Sequence, residues 1–116
     1  MKLVVLSGAA GALAVAFGAF GAHGLEDKLT PKTMGWWETA TLYLLVHAVA
    51  GLTLGFQTLV SARPGWLMVL GAGGFAGTLY AMALGAPTVL GAITPVGGTL
   101  MILGWIDLTI AGLRRR

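Results

Sequence analysis

Three side chains able to give or take a proton recur every fourth residue inside one apolar stretch: Thr39, Tyr43 and His47. Residues four apart stack on one helical face, so this spacing predicts a polar stripe that can relay a proton or line a ligand cavity. His47 stands about 11 residues beyond Trp36, roughly 16 Å along a helix axis. That is close to the middle of a bilayer, where an ionisable group is costly and often functional. The plainer reading is a neutral histidine that bonds a neighbouring helix as structural glue. His23 closes the first apolar run and is placed to titrate at the mouth of a cavity; anchorage of a loop at a helix C-terminus explains it as well. One histidine is interfacial and the other deep, so they should not meet across a porphyrin, and no cofactor is expected. Glu38 is nine positions from His47, about 900° of helix rotation, and so faces the other side. It is placed to bind a cation or to pair with Lys28 or Lys32. Asp107, near Trp105, is expected in a salt link with Arg63 or Arg114.

Thr94-Pro95, followed by Gly97-Gly98, marks the point where a helix is expected to be irregular. Proline removes a backbone donor and frees a carbonyl one turn earlier. Such breaks at membrane depth border binding cavities or are re-satisfied by a nearby hydroxyl, here Thr94 or Thr99. Gly71 to Ala76 matches G-x-G-x-x-A but no soluble strand precedes it, so the dinucleotide reading fails its context. There is no Walker lysine, no H-E-x-x-H and no carboxylate pair, and acid–base or metal hydrolysis has no visible machinery. The chain has no cysteine and no asparagine, which removes disulfides, thiolate metal sites and N-glycosylation. No metal site is expected.

The elements that hold these residues follow from where charge is missing. No charged residue lies within 3–22, 39–62 or 64–106, and about 20 apolar residues suffice for one crossing of the hydrocarbon core. The chain therefore reads as an all-α, integral membrane four-helix bundle in a single domain, 1–116, with helices at about 3–23, 36–60, 66–84 and 88–113. Thr30-Pro31 reads as an N-cap and first helical position, so a helix is expected to start near Pro31 and run into the second crossing. The first run exceeds the 7–15 apolar residues, roughly, of a signal-peptide core, and is expected to be retained. Ala10, Ala14, Gly18 and Ala22 predict a small-residue ridge that lets backbones approach, placing helix 1 centrally or at a subunit interface. Gly71, Gly73, Gly74 and Gly77 predict a second close-packing surface.

With four crossings, Lys2, Arg63 and Arg114, Arg115 and Arg116 share one face, and Lys28 and Lys32 lie on the other. The positive-inside rule puts the first face, with both termini, in the cytoplasm of a bacterial inner membrane. Trp36 and Trp37 are expected at the outer interface, Trp66 and Trp105 at the inner one, with the terminal arginines as topology anchors. The net charge of +3 is explained by this topology and not by nucleic acid.

The run Phe17-Gly-Ala-Phe-Gly-Ala-His-Gly24, then Trp37 with Thr39-Ala40, Tyr43 and His47, then Gly77-Thr-Leu-Tyr80, and finally Thr94-Pro-Val-Gly-Gly98 with Gly104-Trp105, span most of the chain in order. Together they resemble the small bacterial inner-membrane family of domain of unknown function 423, to which eukaryotic transmembrane protein 256 is related. The resemblance implies a four-helix membrane protein without an established activity. It maps recurrent polar positions onto His23, Thr39, Tyr43, His47, Tyr80 and Thr94.

Tiny loops, small-residue ridges and the absence of a reactive constellation point first to a non-enzymatic structural or assembly partner of a membrane complex. A homo-oligomeric transporter with a polar path along Thr39, Tyr43 and His47 is the alternative. A lipid- or quinone-binding module at the Pro95 kink is the third. The bilayer is the one partner common to all.

Overall fold

The structure, a computed structural model, describes residues 1–115; the reading of Arg116 as an anchor falls outside the described residues. The chain forms an all-α four-helix bundle: α1 (Lys2–His23), α2 (Pro31–Phe56), α3 (Arg63–Ala83) and α4 (Thr94–Arg114). A short 3-10 segment, Thr88–Ala92, precedes α4. All four spans are long and apolar enough to cross a membrane, and no strand occurs among the described residues.

Local chemistry sets the boundaries. The Thr30 hydroxyl accepts from the Thr33 N–H at 3.1 Å, and the Thr30 N–H donates to the Thr33 hydroxyl at 2.9 Å, a reciprocal cap with Pro31 in the first turn. α2 ends at Phe56, short of the expected 60. Gln57 turns extended, and its side-chain amide donates to the Leu54 and Val60 carbonyls while its oxygen accepts from the Val60 N–H. One side chain thus does the work of a further helical turn. The expected fourth helix over 88–113 is broken: the 3-10 segment stops at Ala92 and α4 starts at Thr94. Pro95 sits in the first turn of α4, where its missing N–H has no partner to lose. Gly85 makes the preceding turn at φ +104°, a backbone region that glycine alone enters freely.

The helices pack mainly with their chain neighbours. α3 lies against both α2 and α4, and α2 against α1, whereas α1 only grazes α3. α2 and α3 therefore occupy the central diagonal, and α1, expected to be central or at a subunit interface, is peripheral within the chain. Its buried face is Leu3, Ser7, Ala10, Ala14 and Gly21, with Ala22 exposed. A strict interval of four drifts about 40° per step around a helix, so the ridge from Ala10 leaves the seam before Ala22 and Gly21 replaces it. α4 shows the same alternation of three and four in Thr94, Gly97, Met101 and Gly104, the seam of left-handed helix packing.

The predicted glycine surface of α3 divides in two. A β-carbon added at Gly71 would stand 2.7 Å from the Gly97 carbonyl oxygen, and one at Gly97 would stand 2.5 Å from the Gly71 oxygen. The α3 and α4 backbones touch there. At Gly73, Gly74 and Gly77 an added carbon meets nothing within 4 Å.

Candidate functional site

His47 is 5% exposed and is held at both ring nitrogens. Its Nδ1 lies 2.7 Å from the Tyr43 carbonyl, and the Trp105 indole N–H donates to its Nε2 at 3.0 Å. A carbonyl only accepts and an indole N–H only donates. Both bonds form together only with the neutral tautomer that carries its proton on Nδ1. Tyr43 stacks on the His47 ring at 6.2 Å and packs on Phe75 at 5.0 Å. These four side chains fill the gap between α2 and α4 across α3.

The expected stripe is therefore split. Tyr43 and His47 are together, but Thr39 lies exposed one turn away and joins no hydrogen bond among those of the described residues. The half of α2 nearer the α1–α2 loop uses Thr41 instead, which lies off the interval of four. Its hydroxyl donates to the Trp37 carbonyl at 3.0 Å and lies 2.7 Å from the Tyr80 hydroxyl. Phe17, Trp37 and Tyr80 surround that contact, with ring centroids 4.5 to 5.5 Å apart.

Trp37 does not lie on the surface, where an interfacial belt would put it, whereas Trp105 is 43% exposed. Trp37 is 2% exposed, and its indole donates to the Phe17 carbonyl at 2.7 Å. Gly21 makes this possible, because a β-carbon there would stand 2.5 Å from the indole. Trp105 is nine residues short of Arg114, about 13 Å along the axis, and its N–H is committed to His47. The buried Trp37 indole needs an acceptor and finds one inside the bundle; the half-exposed Trp105 also donates within the chain. Trp36 is half-buried, with the Lys32 ammonium 5.5 Å from its ring. Trp66 lies in the first turns of α3 beside Arg63.

His23 is exposed at the end of α1. Measured from the Phe17–Trp37 contact, it lies about 9 Å toward the loop and His47 about 15 Å the other way, so the two do not approach. Among the described residues no three His, Asp or Glu gather as a metal site. Asp107 accepts two bonds from Arg63, at 2.8 and 2.7 Å, one of the two expected salt links. The expected pairing of Glu38 with Lys28 or Lys32 does not occur; the Arg63–Asp107 contact is the one ion pair among the described residues. Arg114 and Arg115 are exposed at the same end.

At the helix break, the Thr94 hydroxyl donates to the Leu90 carbonyl at 3.1 Å and meets the Thr78 hydroxyl at 2.6 Å. The break is thus re-satisfied internally, and Gly97 beyond it is filled by the α3 backbone. An apolar hollow lies elsewhere. A groove of about 430 Å³ runs between α1 and α3, walled by Leu6, Leu13 and Phe17 on one side and floored by Gly73 and Gly77.

Residues 17–98 match the family described as protein of unknown function, DUF423. The chain belongs to this family. Among its relatives are the UPF0382 membrane protein of Staphylococcus epidermidis, 48% identical over 98% of each chain, and that of Staphylococcus saprophyticus, 44% identical over 95% of this chain and 96% of the other. The UPF0382 membrane protein YwdK of Bacillus subtilis is 39% identical over 98% of both. No solved structure matches the chain. The family is one of membrane proteins, and the four spans agree with that; neither its model nor its members' names assign an activity.

Proposed function

We propose that this DUF423 protein is a non-enzymatic packing subunit of the bacterial inner membrane, joined through the α1–α3 groove to a helix of a larger membrane complex. Both termini are taken as cytoplasmic, from the basic residues at that end. The observation that carries the reading is the bare backbone at Gly73 and Gly77, four residues apart on α3 and open to the membrane. Small residues at that interval are what close helix–helix approach in lipid requires. Consistent with this, His47, Thr41, Tyr80, Thr78 and Thr94 already bond within the chain. The polar-path alternative has less support, because Thr39 is set apart and His47 would have to give up Trp105 before Nε2 could accept a proton. The lipid or quinone alternative at Pro95 has less support too, since that glycine face is closed by α3.

Native mass spectrometry of the protein released from its own membranes in a mild detergent tests the reading. The expected mass contains a different polypeptide, which Gly77→Leu removes while circular dichroism is unchanged. A homo-oligomer that retains only a lipid or small molecule would overturn it.

A further inference from the structure

A second hollow lies on another face of α1, along its seam with the half of α2 nearer the α1–α2 loop. It has two contiguous parts, about 460 Å³ beside the loop and about 320 Å³ deeper, which share Gly21, Ala22, Met34 and Glu38. The lining changes along its length. Near the loop are Glu26 and Glu38; at the deep end are Leu42 and Leu45. Both charged side chains that line it are carboxylates. Lys28 does not line it, and Lys32 is turned onto the ring of Trp36.

Glu38 follows Trp37 directly on α2, about 100° round the helix from it, and is exposed on the face that lines the hollow. At the other end of the bundle the comparable carboxylate, Asp107, has its arginine. Glu38 has no such partner among the described residues. A carboxylate at the edge of hydrocarbon is costly without a counter-charge, and a cation that itself partitions into the membrane can supply one.

We propose that this cleft binds a cationic amphiphile, with an ammonium head between Glu26 and Glu38 and an alkyl body lying over Ala22 toward Leu45. A phospholipid amine is the wrong occupant, because its phosphate would be brought against two carboxylates with no lysine or arginine in the lining. The site is separate from the α1–α3 groove, and its occupancy does not depend on the packing role.

The test titrates dodecyltrimethylammonium onto the full chain in a non-ionic detergent and counts adducts by native mass spectrometry. One saturable adduct is expected. Glu38→Gln should weaken it about tenfold, as loss of one charge-assisted contact implies, and Glu26→Gln by less. Ala22→Leu keeps both acids but fills the cleft from an exposed position, and should abolish the adduct. It also serves if Glu38→Gln fails to fold. Equal binding of dodecyl sulfate, tighter binding of phosphatidylethanolamine, or an unchanged adduct in both Glu38→Gln and Ala22→Leu would overturn the proposal.

Discussion

His47 and Trp105 are each anomalous alone and ordinary together. A deep imidazole needs a donor and an acceptor, and a deep indole needs an acceptor. The sequence marks both, but their encounter depends on how α2 and α4 are rotated about α3, which no local spacing encodes. Removing the indole N–H while keeping a ring, Trp105→Phe, should lower resistance to denaturing detergent by about 1 kcal/mol, in the range for hydrogen bonds between membrane helices. His47→Ala added to Trp105→Phe should then cost less than the sum of the two single changes. Unfolding titrations of the four proteins give the coupling directly. Ser7 is the opposite case. Its hydroxyl is buried against Gly51 with no hydrogen-bond partner, so Ser7→Ala should match or exceed the parent protein in the same titration.

At the scale of the element, the crossings were legible because lack of charge over about 20 residues leaves a chain few alternatives. Helix ends were less so. The end of α2 depends on one glutamine side chain closing back on the backbone, and the start of α4 on which side of Pro95 the helix resumes. Small residues told that helices approach closely but not which partner they approach. Gly97 and Gly73 are of the same type and lie in similar sequence surroundings, yet one abuts a backbone and the other faces open space. Gly97→Ala should force α3 and α4 apart and destabilise by about 1–3 kcal/mol, as overpacking does. Gly73→Ala should leave the isolated chain as stable as before or improve it, since alanine is the better helix former by about 1 kcal/mol. Thermal melts followed by circular dichroism separate the two outcomes.

For the whole molecule, the bundle was readable and its centre was not. Glycine and alanine are abundant in α1, which suggests a core helix, but lipid-facing small residues give the same composition. The diagonal pair α2 and α3 emerges only once all four helices are placed. Orientation remains an argument from basic residues and has a direct check, because the chain has no cysteine of its own. A cysteine placed at Asp27 should react with a membrane-impermeant maleimide added to intact cells, and one at Ser61 should react only after the membrane is opened.

The uncharged turn between α3 and α4 has a consequence for how the protein enters its membrane. The α1–α2 loop carries Glu26, Asp27, Lys28 and Lys32, and on an insertion scale a charged residue at the centre of the bilayer costs about 2.5–3.5 kcal/mol. With the termini cytoplasmic, as proposed, that loop must be moved across by the translocation machinery. The segment from Pro64 to Ile106 holds no charge at all, and its connection is a single glycine turn and one 3-10 segment. The second half can therefore enter from the side as a ready-made hairpin, its tip carrying turn peptide groups and one threonine hydroxyl but no charge into the oil. Biogenesis of this small protein is divided in two: a first half that has to be threaded, and a second that has only to partition.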